Sequence, residues 1–185
     1  AGTEIADGGK VDFWNNPLNI GSQPNIGAYG TGGVTKTKDM NLAAGRIAKT
    51  SFCNDGDTYL LNNLTDERVS SSLASEKKAE NGEEWVEITF DEPVSLSCVW
   101  LTAASDPADF PLKYKIEILT DGKWKTAADS SGRKRPRGNE TLIFNFREVA
   151  AQKLRITASA LAERNGGYCF ELAEISAFSI PMTID

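Results

Sequence analysis

Four cationic side chains, Arg133, Lys134, Arg135 and Arg137, crowd the segment SGRKRPRGNE at residues 131–140. The planar fork of arginine recognises carboxylate and sulfate groups in bidentate fashion. The chain around them is acidic, with 20 Lys+Arg against 26 Asp+Glu and a net charge of −6. The chemistry such a knuckle offers is capture of an anion. A solvated hairpin tip that only keeps a loop soluble has the same composition, and the residues themselves leave both readings open.

Catalysis finds little to work with. The chain has no histidine, which removes the commonest general base and any Ser-His-Asp or Cys-His site. Acidic residues are plentiful enough for carboxylate-pair glycosidase chemistry, but no spacing singles out a pair. Cys53, Cys98 and Cys169 form no C-x-x-C motif, so a structural zinc site is not expected. Cys98 lies in the apolar run SLSCVWLTA and reads as a buried small hydrophobe. Cys53 and Cys169 border loops, and spacing alone leaves a disulfide between them open. A general nucleic-acid binder would carry a basic face, against which the net charge argues. No apolar run approaches the roughly 18 residues of a transmembrane helix. The polar opening AGTEIADGGK has no signal-peptide pattern, an absence that carries little weight in a mature or excised piece of chain.

Strands must position these residues. The length suits one domain with an appendage and is enough to bury a core without staples. Residues 1–40 are rich in Gly, Asn and Pro and read as irregular chain, with one short strand at KVDFW. Residues 41–185 read as strands at 45–52, 84–90, 95–103, 113–120, 123–129, 141–146, 152–159 and 170–178. Val86, Ile88 and Phe90 alternate with Trp85, Glu87 and Thr89. Tyr114, Ile116 and Ile118 alternate with Lys113, Lys115 and Glu117, and Leu142, Phe144 and Phe146 repeat the pattern. Period two over short segments separated by turns means an antiparallel sandwich or barrel. Eight such strands fit an all-β, eight-stranded antiparallel jelly roll, with an irregular N-terminal extension.

Loop lengths then locate a site. DEPV, TDG and REVAA are short turns. ASDPADFPL, SSGRKRPRGNE, ALAERNGGYC and the stretch entering Trp85 are long. Successive antiparallel connections alternate between ends, so parity puts all the long loops at one end. Function concentrates on loops held by a rigid scaffold, and this end is the candidate binding face. Sugar sites combine an aromatic ring with planar polar groups. The long loops offer Tyr59, Phe110 and Tyr168 as rings, of which Phe110, beside Pro111, reads as structural. Asp57, Asp106, Arg164 and Asn165 supply polar groups, and Arg133, Arg135 and Arg137 supply charge.

Several segments together carry a family likeness. NLAAGRIAKTSF, WVEITFDEPVSLSCVWL, FPLKYKIEILTDGKWKTAAD, AQKLRITAS and ELAEISAF, in that order, resemble the discoidin, or coagulation factor V/VIII type C, domain. The nearest likeness is to the galactose-binding-like versions that serve bacterial enzymes as carbohydrate-binding modules. The resemblance implies a non-catalytic module for a polysaccharide or other glycan. Galactose-specific members commonly use a histidine, so simple galactose specificity is not expected here. With the basic loop, the resemblance points to an acidic glycan. It also implies a structural Ca²⁺ at LTDERVSSSL and the last strand, held by Asp66, Ser71 and Glu174. Glu67 stands there in place of the family's glycine, and Leu73 in place of its tryptophan.

DFWNNPLNIGSQPNIGAYG resembles the closing segment of right-handed parallel β-helix domains. It implies that residues 1–40 are a linker or the tail of an upstream domain of the same chain. The parent would then be a secreted, periplasmic or cell-surface protein, a polysaccharide lyase or glycoside hydrolase. The alternatives are a structural spacer or protein-interaction domain without sugar binding, and a membrane-surface domain. The membrane reading requires apolar spikes at the loop tips, which GRKRPRG lacks.

Overall fold

The computed structural model describes residues 41–52 and 58–181. The strand expected at KVDFW, the β-helix-like tail, Cys53 and Asp57 lie outside them. Within them the regular secondary structure is almost entirely strand, as the alternating pattern requires. Its elements are β1 (Ala48–Thr50), α1 (Thr58–Asn62), β2 (Leu73–Ala74), β3 (Glu84–Thr102), β4 (Lys113–Thr120), β5 (Lys123–Asp129), β6 (Thr141–Ala160), β7 (Ala162–Arg164), β8 (Gly167–Cys169), β9 (Glu171–Leu172) and β10 (Glu174–Phe178). A single 3-10 turn occupies Pro107–Asp109.

Two long strands organise the sandwich. β3 and β6 pair antiparallel from Glu84↔Ala158 to Thr102↔Thr141. Each joins two strands that the sequence separates, so DEPV and REVAA are bends inside continuous strands, not hairpin turns. The register slips between Thr89 and Val94, where β3 gains residues, and between Leu96 and Cys98, where β6 does. Pro93 falls in the first slip, where a missing N–H breaks no ladder bond. Bulges of this kind bend the strand and raise its twist.

The bends let one strand pair serve two layers. One half of the pair carries β1 (Ala48↔Ile88), β4 (Ile116↔Ile156) and, beyond it, β5. The other half carries β10 (Ile175↔Leu101). The layers meet edge-on where the Tyr114 ring lies 6.0 Å from that of Phe144. Val86, Ile88 and Phe90 face inward, as do Tyr114, Ile116 and Ile118, and all join one core with Phe110, Phe144 and Phe170. Phe144 is buried as expected, whereas Leu142 and Phe146 are only half-buried. Cys98 is buried, as its apolar surroundings predict. Each fully buried large apolar side chain contributes about 1.5–3 kcal/mol.

The outward face of the first layer is polar and tied together. Arg155 lies 4.8 Å from the Trp85 ring and 4.1 Å from the Trp124 ring, and its Nη2 meets Glu87 at 2.6 Å. Lys153 donates to the same carboxylate at 2.7 Å. Burial alone would raise the Glu87 carboxyl, but these two cations outweigh it and hold the group below its ordinary range. At the far end of the sandwich, Asp121 and Gly122 adopt φ of 51° and 70° and close the tight β4–β5 hairpin. A two-residue turn with positive φ at both positions matches the strand twist, hence the Asp-Gly pair.

Candidate functional site

The long loops converge on the Pro107–Asp109 turn. Arg135 reaches across from the basic loop and donates to the carbonyls of Pro107, at 3.1 Å, and Ala108. Arg164, at the end of β7, pairs through Nη2 with Asp106 at 2.8 Å and through Nη1 with Asp109 at 3.6 Å. The Asn139 amide donates to Ala104 O at 3.1 Å. Beside it, a Cβ added to Gly138 would lie 2.1 Å from Ser105 O, so the two loops touch only because that residue has no side chain. The stretch entering β3 arrives at the same end. The Lys78 and Tyr168 backbones exchange two hydrogen bonds of 2.9 Å, and Lys77 Nζ donates to Arg164 O at 3.2 Å.

The basic loop divides its cations between two tasks. Arg133 lies 4.6 Å above the Phe144 ring and donates to Ile143 O at 3.0 Å. With Arg135, it fastens the loop to the sandwich. Pro136 is buried between them and the exposed Arg137. The Lys134 and Arg137 side chains are exposed and make no ion pair or hydrogen bond among the described residues. The Arg137 amide donates to Glu140 Oε2 at 2.7 Å, closing the tip.

The remaining expected residues are placed as follows. Asp106 caps the 3-10 turn by accepting from the Ala108 amide at 3.1 Å, besides pairing with Arg164. Asn165 and Gly166, with φ of 53° and 74°, form the two-residue turn between β7 and β8. That turn sets Tyr168 opposite Glu163 and Arg164 opposite Gly167. Side chains alternate along a strand, so Tyr168 and Arg164 project from opposite faces of the hairpin. Tyr168 is half-buried and packs against the core. Phe110 is buried and structural, 5.6 Å from the Tyr114 ring. Tyr59 belongs to α1, but its side chain is outside the described residues. Cys169 is free and buried, and its thiol donates to Ser75 O at 3.0 Å.

A second cluster lies at Asp66. Its carboxylate accepts from Ser71 Oγ at 2.8 Å and from the Arg68 amide at 2.9 Å. Glu67 takes φ of 60°, the left-handed conformation that a glycine would adopt more cheaply. Glu174, on β10, is 4 % exposed, and neither of its carboxylate oxygens makes a hydrogen bond among the described residues. Burial, and next the charge of Asp66, push its carboxyl up to about 8, against a weaker pull from the Glu67 and Arg68 amides, which approach it without meeting hydrogen-bond geometry. No group of three His, Cys, Asp or Glu side chains is gathered among the described residues. A cation here would therefore draw on Asp66, Glu174, the Ser71 hydroxyl and backbone carbonyls. That oxygen-only set suits a hard ion such as Ca²⁺.

The family model of the F5/8 type C domain matches residues 47–175, from β1 into β10. The chain belongs to this family.

No curated protein matches the chain significantly. Solved structures do match this F5/8 type C domain in fold. Chitosan-binding module 1 of a chitosanase/glucanase from Paenibacillus sp. IK-5 is 17 % identical, with a TM-score of 0.60 over 75 % of this chain and 98 % of that one. Chitosan-binding module 2 of the same enzyme, in complex with chitotriose, is 21 % identical, with a TM-score of 0.59 over 75 % and 99 %. The family 32 carbohydrate-binding module of C. perfringens NanJ, in complex with galactose, is 16 % identical, with a TM-score of 0.57 over 71 % and 91 %. At these identities the likeness is one of fold.

One residue of this converging end of the F5/8 type C domain, Asp109, carries no signal in the sequence. Asp109 is 8 % exposed, and its Oδ1 lacks a partner among the described residues. The acid in PADF resembles any loop aspartate, and only the approach of Arg164 from a distant hairpin gives it a role.

Proposed function

We propose that this domain is a non-catalytic carbohydrate-binding module of a larger secreted polysaccharide-processing protein, and that its ligand is an acidic glycan. The observation that carries the reading is the convergence of three long loops on the Pro107–Asp109 turn. The exposed cations Lys134 and Arg137 belong to the loop that Arg135 ties to Pro107, the neighbour of the Arg164-paired Asp106. Membership of the F5/8 type C family supports a binding module, as do fold neighbours solved as chitosan-binding and family 32 modules. The acidic ligand rests on this chain's own basic loop. Charge-assisted hydrogen bonds from Lys134 and Arg137 would hold carboxylate or sulfate groups. Tyr168 would offer a ring edge from the neighbouring hairpin.

A Ca²⁺ ion held by Asp66, Ser71 and Glu174 belongs to the same proposal as a structural element. Bound there, it supplies positive charge between two carboxylates and links the Asp66 loop to β10. Residues 1–40 would connect to an upstream domain with lyase or hydrolase activity, in a secreted, periplasmic or cell-surface protein.

The test is calorimetric titration of pectin, alginate and heparin fragments against a neutral galactan. Salt-sensitive binding of the acidic fragments, without turnover of any of them, is the expected result. If no glycan binds, the module is a spacer. That reading draws on the Asp106–Arg164 pair and on the use of Arg133 and Arg135 for backbone carbonyls within the fold.

A further inference from the structure

The sequence holds two Asn-Gly pairs, Asn81–Gly82 and Asn165–Gly166. Glycine has no Cβ to shield its backbone nitrogen, so the nitrogen can close on the side chain of the asparagine before it. The fold treats the two pairs differently. The Asn81 carboxamide is engaged: its Oδ1 accepts from the Leu161 amide at 3.0 Å, and Leu161 is 1 % exposed. Turning Asn81 toward Gly82 would strand a buried N–H, which is costly. The Asn165 carboxamide and the Gly166 amide make no hydrogen bond among the described residues. Both residues are exposed, and a Cβ built on Gly166 would meet nothing within 4 Å. With φ of 53° and 74° they form the tip of the β7–β8 hairpin, whose strands share three residue pairs. A short exposed turn of this kind opens locally at low cost.

We propose that Asn165–Gly166 is a site of spontaneous deamidation, which turns the tip of the β7–β8 hairpin into aspartate and isoaspartate, and that the fold protects Asn81–Gly82 from the same reaction. In an opening of the turn, the Gly166 nitrogen gives its proton to hydroxide and attacks Cγ of Asn165. The N–Cγ bond forms, the Cγ–Nδ2 bond breaks, and Nδ2 leaves as ammonia with a proton taken from water. Water then adds to one of the two carbonyls of the cyclic imide. Opening at one C–N bond gives aspartate, and opening at the other gives isoaspartate. One water is consumed, one ammonia is released, and nothing is oxidised or reduced. Either product adds a negative charge beside Arg164, whose guanidinium pairs with Asp106 at 2.8 Å and Asp109 at 3.6 Å. Isoaspartate also routes the main chain through the side-chain carbon. That lengthens a two-residue turn whose register sets Arg164 opposite Gly167 and Tyr168 opposite Glu163. The inference is independent of what the domain binds.

The experiment ages the full chain in mildly alkaline buffer, folded and in urea, and follows both pairs by peptide mass mapping and nitrogen–proton NMR. In the folded chain, acid should accumulate at Asn165 about tenfold or more faster than at Asn81, the factor that a stranded buried N–H imposes. The Asn165 side-chain NH₂ signals should fade at the same rate, while the amides of Gly167 and Tyr168 shift. In urea the two pairs should react at similar rates. Asn165→Asp carries the new charge on an unbroken backbone and separates the two effects. It should shift the Asp106 and Arg164 amides and leave the Tyr168 cross-strand contacts to Glu163 in place. Equal rates at the two asparagines in the folded chain would overturn the inference, as would faster loss at Asn81. An Asn165 that stays intact in the folded chain while it reacts in urea would overturn it too. A tenfold contrast that persists in urea would show that the fold does not set it, and would overturn the protection assigned to Asn81.

Discussion

Arg164 and Asp106 pair at 2.8 Å between two loops that are far apart in sequence, and the same guanidinium shields the buried Asp109. The two carboxylates carry different weights. Asp106 is exposed, and an exposed pair is worth about 0–1 kcal/mol. Asp109 is nearly buried, and losing its ion-pair partner leaves a charge less compensated than before. Asp106→Ala should therefore cost about 1 kcal/mol in urea unfolding, and Arg164→Ala about 1–3 kcal/mol. Equal losses would mean that Asp109 gains nothing from Arg164.

The four cations of the basic loop should separate into two pairs. Arg133→Ala and Arg135→Ala remove groups that bind backbone carbonyls and a ring, and should lower stability by about 1 kcal/mol each. Lys134→Ala and Arg137→Ala should leave the melting temperature unchanged. They should weaken acidic-glycan binding and reduce its salt slope, because screening acts within about 10 Å at 0.1 M. Melting curves and titrations at two salt concentrations on the four variants decide this. A reversed pattern would return Arg133 and Arg135 to the ligand.

Glu174 makes stability depend on pH in a direction opposite to that of most carboxylates. Its folded-state value of about 8 lies above the ordinary 4.5, so the folded state holds the proton longer than the unfolded chain does. Its contribution is complete below pH 4.5 and is lost as pH rises through about 8. Without Ca²⁺, Glu174→Gln should be more stable than the parent at pH 8 and equal to it near pH 4. Added Ca²⁺ should raise the parent's melting temperature more at pH 8 than at pH 5, since the ion needs the ionised carboxylate. Thermal unfolding with chelator and with Ca²⁺ at both pH values checks it, and a Glu174→Gln variant as responsive to Ca²⁺ as the parent would exclude the site.

Gly138→Ala tests the contact between two loops directly. Its Cβ would meet Ser105 O at 2.1 Å, and backbone must shift to relieve the overlap. A loss of about 1–3 kcal/mol is expected, typical of overpacking, with amide shifts at Ala104 and Asn139. An unchanged spectrum would mean that the loops do not touch there.

Much of this was legible from local pattern. The alternation at Val86–Phe90 and Tyr114–Ile118 assigns the buried faces because a strand has a period of two. The loop lengths place the long connections at one end, where Arg135 and Arg164 join them. DEPV misled because a proline among polar residues gives the same local signal in a turn and in a bulge. The choice depends on which residues of β6 lie opposite. The role of Arg133 was hidden for a related reason, since its ring partner Phe144 lies across the next connection. The separation of Tyr168 from Arg164 was accessible in principle, because the Asn165–Gly166 turn fixes the register.

The continuous pairing of β3 with β6 also bears on how the domain reaches its native state. Every rung from Glu84↔Ala158 to Thr102↔Thr141 joins residues distant in sequence, so no part of the ladder can form by local zippering. Topologies of this kind fold slowly, on the order of milliseconds to seconds. The same ladder belongs to both layers, so neither layer can open while the other stays shut. Its amides should exchange with solvent only through global unfolding, leaving the β7–β8 hairpin and the basic loop to fluctuate on their own.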